Sequence, residues 1–317
     1  MTGMDAVITS IEERGDVRIF ELRAADGSAL PPYHAGAHID VTLGNGQIRQ
    51  YSLCCRQPSG DSYRIAVKRD PKSRGGSEWL HQEATQGHTL TLGEPRNAFS
   101  LRPSTGMHLL FAGGIGVTPL LSMAYALQRA GQPFHLAYFI RSEAENAFAD
   151  ETQTGPLAGH VVVFAGLQPQ DNAARIEAIM QTAPASETTV YTCGPTPFMD
   201  AVIALGTTRF GASSVHKESF GAAPTAAGAA SFTMRLVRSG RDIDVPAGSS
   251  ALACLHAAGI AIDCSCEVGV CGTCRTVVLD GRPEHLDSVL SDAERQANAC
   301  FMPCVSRSLT PVLYLDL

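Results

Sequence analysis

The feature that most limits how this chain can fold is a run of closely spaced cysteines late in the sequence. Seven of the ten cysteines lie in the stretch from Cys254 to Cys304. Three of these, Cys266, Cys271 and Cys274, follow the spacing C-x4-C-x2-C, and Cys304 lies further along. This distribution is not that of a disulfide framework, and in a reducing compartment it indicates metal ligands. The segment must therefore fold as a tight loop around a metal centre.

The spacing is that of a plant-type [2Fe–2S] cluster, in which two irons share four thiolates. Gly269 and Gly272 would let backbone N–H groups approach the sulfurs. The alternative is a structural zinc site, whose usual signature is two C-x2-C pairs or one such pair followed by H-x3-5-H, and this segment holds a single C-x2-C pair. Cys304 is available downstream as a fourth thiolate, with Cys300 four residues before it, and Cys264 lies two residues before Cys266. Cys54, Cys55 and Cys254 are predicted to be packing residues.

Composition narrows the function classes. The 317 residues allow two or three domains, and 44% hydrophobic with 17% charged residues is an ordinary globular mixture. A net charge of −7 argues against a nucleic-acid partner. The first residues show neither a basic region nor an apolar core typical of a signal peptide, and no apolar run reaches transmembrane length. We expect a cytoplasmic monomer without a membrane partner.

The order of predicted strands and helices along the chain indicates three domains and a linker. Short, evenly spaced β segments up to residue 102 indicate a small antiparallel barrel, and the strand–helix alternation over 103–222 indicates a parallel α/β sheet. Residues 223–230 are rich in alanine and glycine and are predicted to be a linker. Residues 231–317 form the cysteine-bearing domain and open with a predicted hairpin.

Two segments of the barrel suggest a flavin site. Arg49, Tyr51 and Leu53 alternate with Ser52 along one predicted strand, a pattern that also fits an ordinary strand. The second segment, Ser73–Ser77, leads into a predicted helix, and its glycines, hydroxyls and Arg74 suit a phosphate.

Two turns in the α/β domain suggest a nicotinamide nucleotide. The first follows a strand as Gly113-Gly114-Ile115-Gly116-Val117-Thr118-Pro119, with Thr118 predicted as the N-cap and Pro119 as the first residue of a helix. It is not the G-x-G-x-x-G fingerprint. The second turn is Cys193-Gly194-Pro195, at the end of another strand, where open α/β sheets bind ligands. Either turn could be a plain strand-to-helix connection.

Together these segments resemble the phthalate dioxygenase reductase family, which includes vanillate demethylase reductases. The resemblance covers essentially the whole chain in the order flavin, nicotinamide, ferredoxin. It implies an N-terminal antiparallel β-barrel, a central parallel α/β domain and a C-terminal α+β ferredoxin of the β-grasp class. It also implies FMN, NADH and a [2Fe–2S] cluster as cofactors, and a terminal oxygenase, of the Rieske type, as partner.

The resemblance also assigns site residues. Ser52, Thr118, Cys193 and Phe220 are expected near the reacting atoms, with Phe220 covering the flavin ring. Cys193 could be mistaken for a nucleophile, but no His/Asp set accompanies it. The expected flavin contacts are Arg49, Tyr51, Ser52, Leu53, Ala66, Val67, Lys68, Arg74, Gly75, Gly76, Ser77 and Phe220. The expected nicotinamide contacts are Gly113, Gly114, Ile115, Gly116, Thr118, Pro119, Arg141, Ser142, Cys193, Gly194 and Pro195. The expected cluster ligands are Cys266, Cys271, Cys274 and Cys304.

Some alternatives stay open. No acid stands at the tip of the second nucleotide-domain strand to hold a ribose 2′-hydroxyl, and Arg141 could meet the 2′-phosphate of NADPH instead. The acceptor could be another enzyme, such as a diiron monooxygenase. A non-catalytic nucleotide-binding protein with a structural zinc is the alternative from another functional class.

Overall fold

The protein is described from a computed structural model that covers residues 3–56, 61–71, 73, 75–220, 230–264, 267, 269, 272–287 and 289–317. The chain divides into two compact units, Met1–Ser219 and Phe220–Leu317, which are described separately. Most of the predicted linker, 223–229, lies outside the described residues.

The first part of unit one is an antiparallel sheet of six strands in the order β4-β3-β6-β1-β2-β5. The backbone N–H of Cys54, just after β4, donates to the carbonyl of Arg64 on β5 at 2.9 Å and links the two edges. The predicted barrel is thus confirmed. Its strands and its helix are β1 (Met4–Arg14), β2 (Val17–Ala24), β3 (His38–Thr42), β4 (Ile48–Ser52), β5 (Tyr63–Lys68), α1 (Gly76–Gln82) and β6 (Thr89–Leu92).

Strand β1 was not anticipated from the sequence. Ala6 and Ile8 point inward and are fully buried, but the register shifts between Ile8 and Ser10. This bulge interrupts the period-two pattern, and an interrupted pattern gives no clear strand signal.

The second part of unit one is a parallel five-stranded sheet in the order β11-β10-β7-β8-β9, with buried apolar clusters on both faces. The predicted strand–helix alternation is confirmed, and β11 is a further strand. The elements are β7 (His108–Gly113), α2 (Val117–Arg129), β8 (Phe134–Ile140), β9 (Val161–Ala165), α3 (Pro169–Thr182), β10 (Thr189–Cys193), α4 (Thr196–Phe210) and β11 (Val215–Glu218).

The barrel and the nucleotide sheet share a core. Helix α2 has ten of its thirteen residues buried, and Cys54 and Ala66 of the barrel belong to the same apolar cluster. At the edge of this contact, Arg64 of β5 pairs with Glu151 at 2.5 Å. These contacts hold the ends of β4 and β5 beside the nucleotide sheet.

Unit two is a small α+β fold. Its main sheet has the order β13-β12-β18-β14-β16, and β12 runs parallel to β18, as a β-grasp requires. The predicted hairpin corresponds to β12 and β13. The elements are β12 (Phe232–Leu236), β13 (Arg241–Val245), α5 (Ala251–Ala257), β14 (Thr276–Asp280), β15 (Pro283–Glu284), α6 (Asp292–Ala297), β16 (Cys300–Phe301), β17 (Arg307–Ser308) and β18 (Val312–Leu315).

Within the described part of the chain, every helix is too short or too polar to cross a lipid bilayer.

Candidate functional site

The two glycine turns of the nucleotide sheet pack directly against each other. A Cβ added to Gly194 would lie 2.9 Å from the Cα of Gly113, and one added to Gly116 would clash with the carbonyl of Cys193. Gly114 has φ +54°, which favours glycine. Such close backbone approach leaves the N-terminus of α2 open to an anionic ligand at this end of the sheet.

The predicted start of this helix was wrong. Helix α2 begins at Val117, with Gly116 as its N-cap, so Thr118 and Pro119 lie inside the first turn. The Thr118 hydroxyl donates to the carbonyl of Ile115 at 3.0 Å rather than capping an N–H. The three-residue 3-10 turn over Gly114–Gly116 starts the helical path earlier than the cap signal suggested.

Strand β10 ends at Cys193 between Ala112 of β7 and Glu218 of β11. The Cys193 side chain is fully buried, and burial, followed by the nearby Glu218 carboxyl, raises the pKa of its thiol. The thiol therefore stays protonated at neutral pH. This supports the interpretation that Cys193 is not a nucleophile.

Glu218, at the end of β11, is the residue that the sequence reasoning did not single out. Only 14% of its side chain is exposed, and burial raises the pKa of its carboxyl to about 8. Its Oε1 lies 4.0 Å from Nδ1 of His38, whose own pKa is lowered by burial, so the pair is not an ion pair at neutral pH. The sequence signal that could have identified Glu218 was its position two residues before Phe220, at the end of β11.

Ser52, at the end of β4 in the barrel, lies beside Glu218. It pairs with His38 in the register of β3 and β4 and is 5% exposed. Its hydroxyl is near enough to Glu218 to lower that carboxyl's pKa slightly, although it makes no hydrogen bond of normal geometry. Ser52 Oγ, Glu218 Oε2 and His38 Nε2 are buried without a protein partner among the described residues. Buried polar atoms left in this state are typical of a ligand site.

The two predicted flavin segments lie side by side. A Cβ on Gly76 would come within 2.6 Å of Nε of Arg49, and Gly75 adopts φ +91° beside Gln47. Arg49 thus lies across the turn that leads into α1. The hydroxyl of Ser77 accepts the N–H of Asp70 at 3.2 Å. Arg74 lies outside the described residues.

The three predicted flavin contacts on β5 lie in three different environments. Ala66 faces the nucleotide sheet, Val67 packs in the barrel core, and Lys68 Nζ pairs with Asp16 and Glu145 at 3.1 Å each. Tyr51 packs against the barrel core, in which Leu53 is fully buried. Arg141 and Ser142 are exposed beyond β8, and Phe220 is 44% exposed. Pro195 is the N-cap of α4.

In unit two, two of the four predicted cluster ligands are described and lie together. The Sγ atoms of Cys274 and Cys304 are 3.3 Å apart, and both residues are buried. Cys300 belongs to the same buried cluster but also lies beside Arg275, where it raises the pKa of that guanidinium. Gly269 and Gly272 have φ of +75° and +77°. Cys266 and Cys271 lie outside the described residues.

Comparisons with known proteins give the family. Residues 235–308 match the 2Fe-2S iron-sulfur cluster binding domain. The chain is 42% identical over 318 residues to vanillate O-demethylase oxidoreductase of Pseudomonas putida, covering 99% of this chain and all of the relative. It is 38% identical over 304 residues to phthalate dioxygenase reductase of Burkholderia cepacia, covering 95% of this chain and 93% of the relative.

A solved structure matches over the same extent. The phthalate dioxygenase reductase described as a modular structure for electron transfer from pyridine nucleotides to [2Fe-2S] superposes with a TM-score of 0.76 at 37% identity. The match covers 99% of this chain and 98% of that one. The barrel, the parallel sheet and the iron–sulfur domain therefore follow one another along the chain in the order that the resemblance implied, and this chain is an oxidoreductase that belongs to the phthalate dioxygenase reductase family.

Proposed function

We propose that this protein is the NADH-oxidising reductase of a Rieske-type oxygenase, and that it uses FMN and a [2Fe–2S] cluster. The observation that carries the proposal is the group formed by Ser52, Cys193 and Glu218 where the barrel adjoins the carboxyl ends of β10 and β11. Its unpaired buried oxygens, Ser52 Oγ and Glu218 Oε2, suit a ligand that both accepts and donates hydrogen bonds.

The barrel residues suit FMN. Arg49 lies against Gly76 and offers a guanidinium at a glycine turn, and the Ser77 hydroxyl, which accepts from Asp70, keeps its proton to donate. A cation, a hydroxyl and free backbone N–H groups are the usual partners of a phosphate. Arg74 is proposed as a second cation of the same site.

The nucleotide turns suit the pyrophosphate of a dinucleotide. The close approach of Gly113, Gly116 and Gly194 leaves no side chain between the backbone and a ligand at the start of α2. Bound FMN supplies the exchange between a two-electron hydride and single electrons, which neither a nicotinamide nor an iron–sulfur cluster can make alone.

The side chains of this site are proposed to orient the nicotinamide and the flavin and to shield them from solvent. Glu218, with a pKa of about 8, is mostly protonated at neutral pH and can donate a hydrogen bond to a carboxamide oxygen. Cys193 remains a neutral thiol and adds no charge to the site. Ser52 presents a hydroxyl from the barrel side. Phe220, two residues after Glu218, is proposed to cover the flavin ring.

NADH is preferred to NADPH in this proposal. Arg141 is the cation at the strand tip, but Glu143 and Glu145 follow it directly in the next turn. Carboxylates beside the nucleotide repel an extra phosphate, and Lys68 compensates only Glu145.

In unit two, Cys266, Cys271, Cys274 and Cys304 are proposed to hold the cluster. The proposal is supported by the 3.3 Å separation of the Cys274 and Cys304 sulfurs and by the placement of Cys300 beside Arg275.

The test uses the purified full-length chain. We expect a yellow-brown protein with two irons, one FMN identified by chromatography, and bleaching of both chromophores by NADH under nitrogen. FAD in place of FMN, or zinc in place of iron, would contradict the proposal. Co-purified Rieske-type oxygenase should accept the electrons, whereas preferential turnover of a diiron monooxygenase would favour that acceptor.

A further inference from the structure

Asp287 is a buried carboxylate in unit two for which neither the proposed ligand set nor electron transfer assigns a role. None of its side chain is exposed. It lies between β15 and α6, well away in sequence from every cysteine of the C-x4-C-x2-C motif. A carboxylate is costly to bury unless several donors satisfy it, so its surroundings show what it stabilises.

Its two oxygens accept hydrogen bonds from two different segments. Oδ2 accepts the backbone N–H groups of Val289 at 3.0 Å and Leu290 at 2.9 Å, which closes a tight turn. Oδ1 accepts the hydroxyl of Ser306 at 3.3 Å. Ser306 stands two residues after Cys304, so the carboxylate joins this turn to the segment that carries the predicted fourth ligand.

Charged and titratable groups also face Asp287. Nη2 of Arg295, on α6, is 3.7 Å from Oδ2, and the same guanidinium donates to the carbonyls of Asp287, Leu290 and His285. Nδ1 of His285 is 3.9 Å from Oδ1. The carboxylate is therefore held in place from α6 as well.

The turn that Asp287 closes packs on both glycines of the cysteine loop. A Cβ on Gly269 would lie 3.1 Å from the Cα of Asp287 and 2.5 Å from Val305, and one on Gly272 would lie 3.1 Å from Val289. Gly269 lies between Cys266 and Cys271, and Gly272 between Cys271 and Cys274. One carboxylate thus braces the loop that carries three ligands and the segment of the fourth.

We propose that Asp287 is a positioning residue for the iron–sulfur cluster, and that its buried negative charge lowers the cluster's reduction potential. The inference rests on the [2Fe–2S] assignment made above. Groups around a metal centre orient its ligands, and the potential of an iron–sulfur cluster depends on local charge and hydrogen bonding. A negative charge held nearby disfavours the additional electron, since Coulomb energies are large where water is excluded.

The test compares Asp287→Asn, Asp287→Ala and a control, Asp244→Asn, in the full-length chain. Asparagine can keep one oxygen for the N–H groups of the turn while removing the charge. Asp244 is an exposed carboxylate of the same unit that accepts the Thr233 hydroxyl. We measure iron content, the reduction potential by titration followed through the electron paramagnetic resonance signal, and cluster loss to a chelator.

We expect Asp287→Asn to keep two irons and to have a higher reduction potential than the wild type, with Asp244→Asn unchanged. Asp287→Ala should release its cluster faster than the wild type, because removing a group that orients metal ligands typically weakens metal affinity about 10-fold or more. Ser306→Ala is the milder variant if the others do not fold, and it should also release the cluster faster. Wild-type potential and release rates in all of these variants would overturn the inference. A wild-type protein without iron would overturn the proposed function instead.

Discussion

Cys193 and Glu218 occupy paired positions at the carboxyl ends of the neighbouring parallel strands β10 and β11. Burial raises the pKa of both side chains, and the nearby Glu218 carboxyl raises the pKa of the Cys193 thiol further. The site is thereby kept neutral at physiological pH, which suits it to an electron-rich ring better than to a nucleophilic reaction.

The burial of Glu218 predicts how the stability of the folded protein depends on pH. In the folded protein Glu218 has a pKa of about 8 against an ordinary value of 4.5. Below 4.5 both states are protonated and the carboxyl costs nothing. Between 4.5 and 8 the unfolded state releases its proton while the folded state keeps it, so the wild type loses stability relative to Glu218→Gln, on the order of 5 kcal/mol in total. Melting temperatures should therefore diverge from pH 5 to pH 8, with the variant higher. An exposed control, Glu143→Gln, should not alter this pH dependence. A Glu218→Gln difference equal at both pH values would contradict the assignment.

The glycine contact at the start of α2 predicts a loss of nicotinamide binding. Gly116→Ala would drive a Cβ into the carbonyl of Cys193 and push the two turns apart. Overpacking of this kind costs about 1–3 kcal/mol, and we expect weaker NADH binding together with a lower melting temperature. Gly159→Ala is the control, since its Cβ would meet nothing within 4 Å although its φ is +90°. That control should lower stability slightly and leave the Kd for NADH unchanged. Equal effects of the two variants on NADH binding would exclude a role for this contact.

The proposed phosphate site of the flavin predicts that FMN binds more weakly when the hydrogen-bond donors of that site are removed. Arg49→Ala combined with Ser77→Ala should weaken FMN binding by about 1.5–3 kcal/mol, or roughly ten- to a hundred-fold. Equilibrium dialysis of the apoprotein with FMN and with riboflavin measures the effect. Riboflavin has no phosphate, so its affinity should hardly change. An equal loss for both ligands would show that the two side chains do not recognise the phosphate.

The ligand assignment predicts opposite outcomes for two cysteines. Cys271→Ser should abolish the cluster while NADH oxidation by ferricyanide continues, because every expected flavin and nicotinamide contact except Phe220 belongs to the first unit. Cys300→Ser should keep two irons, because Cys300 lies beside Arg275, whereas the sulfurs of Cys274 and Cys304 are 3.3 Å apart. Iron analysis and the visible spectrum measure both results. Loss of iron from Cys300→Ser would exchange the roles of Cys300 and Cys304.

Local sequence signals determined much of this molecule. The C-x4-C-x2-C spacing predicted the iron–sulfur domain, and strand–helix alternation predicted the parallel sheet. Gly269 and Gly272 of the cysteine loop have positive φ angles, which favour glycine. These features depend on neighbours within a few residues, which a sequence records directly. Irregular backbone was harder to predict from the sequence. The bulge in β1 interrupts its alternating pattern, and the 3-10 turn before α2 places the start of that helix at Val117.

Only the tertiary structure decided which distant groups share a site. Ser52 lies beside Glu218 because the barrel packs against α2, and Asp287 packs against the cysteine loop because Gly269 has no side chain in the way. Burial then set the chemistry of these groups: the carboxyl of Glu218 keeps its proton to about pH 8 through desolvation alone, a property absent from the residue's identity. Sequence spacing names the residues that can hold a cluster or a nucleotide, whereas charge state and mutual contact depend on the packing of segments far apart in the chain.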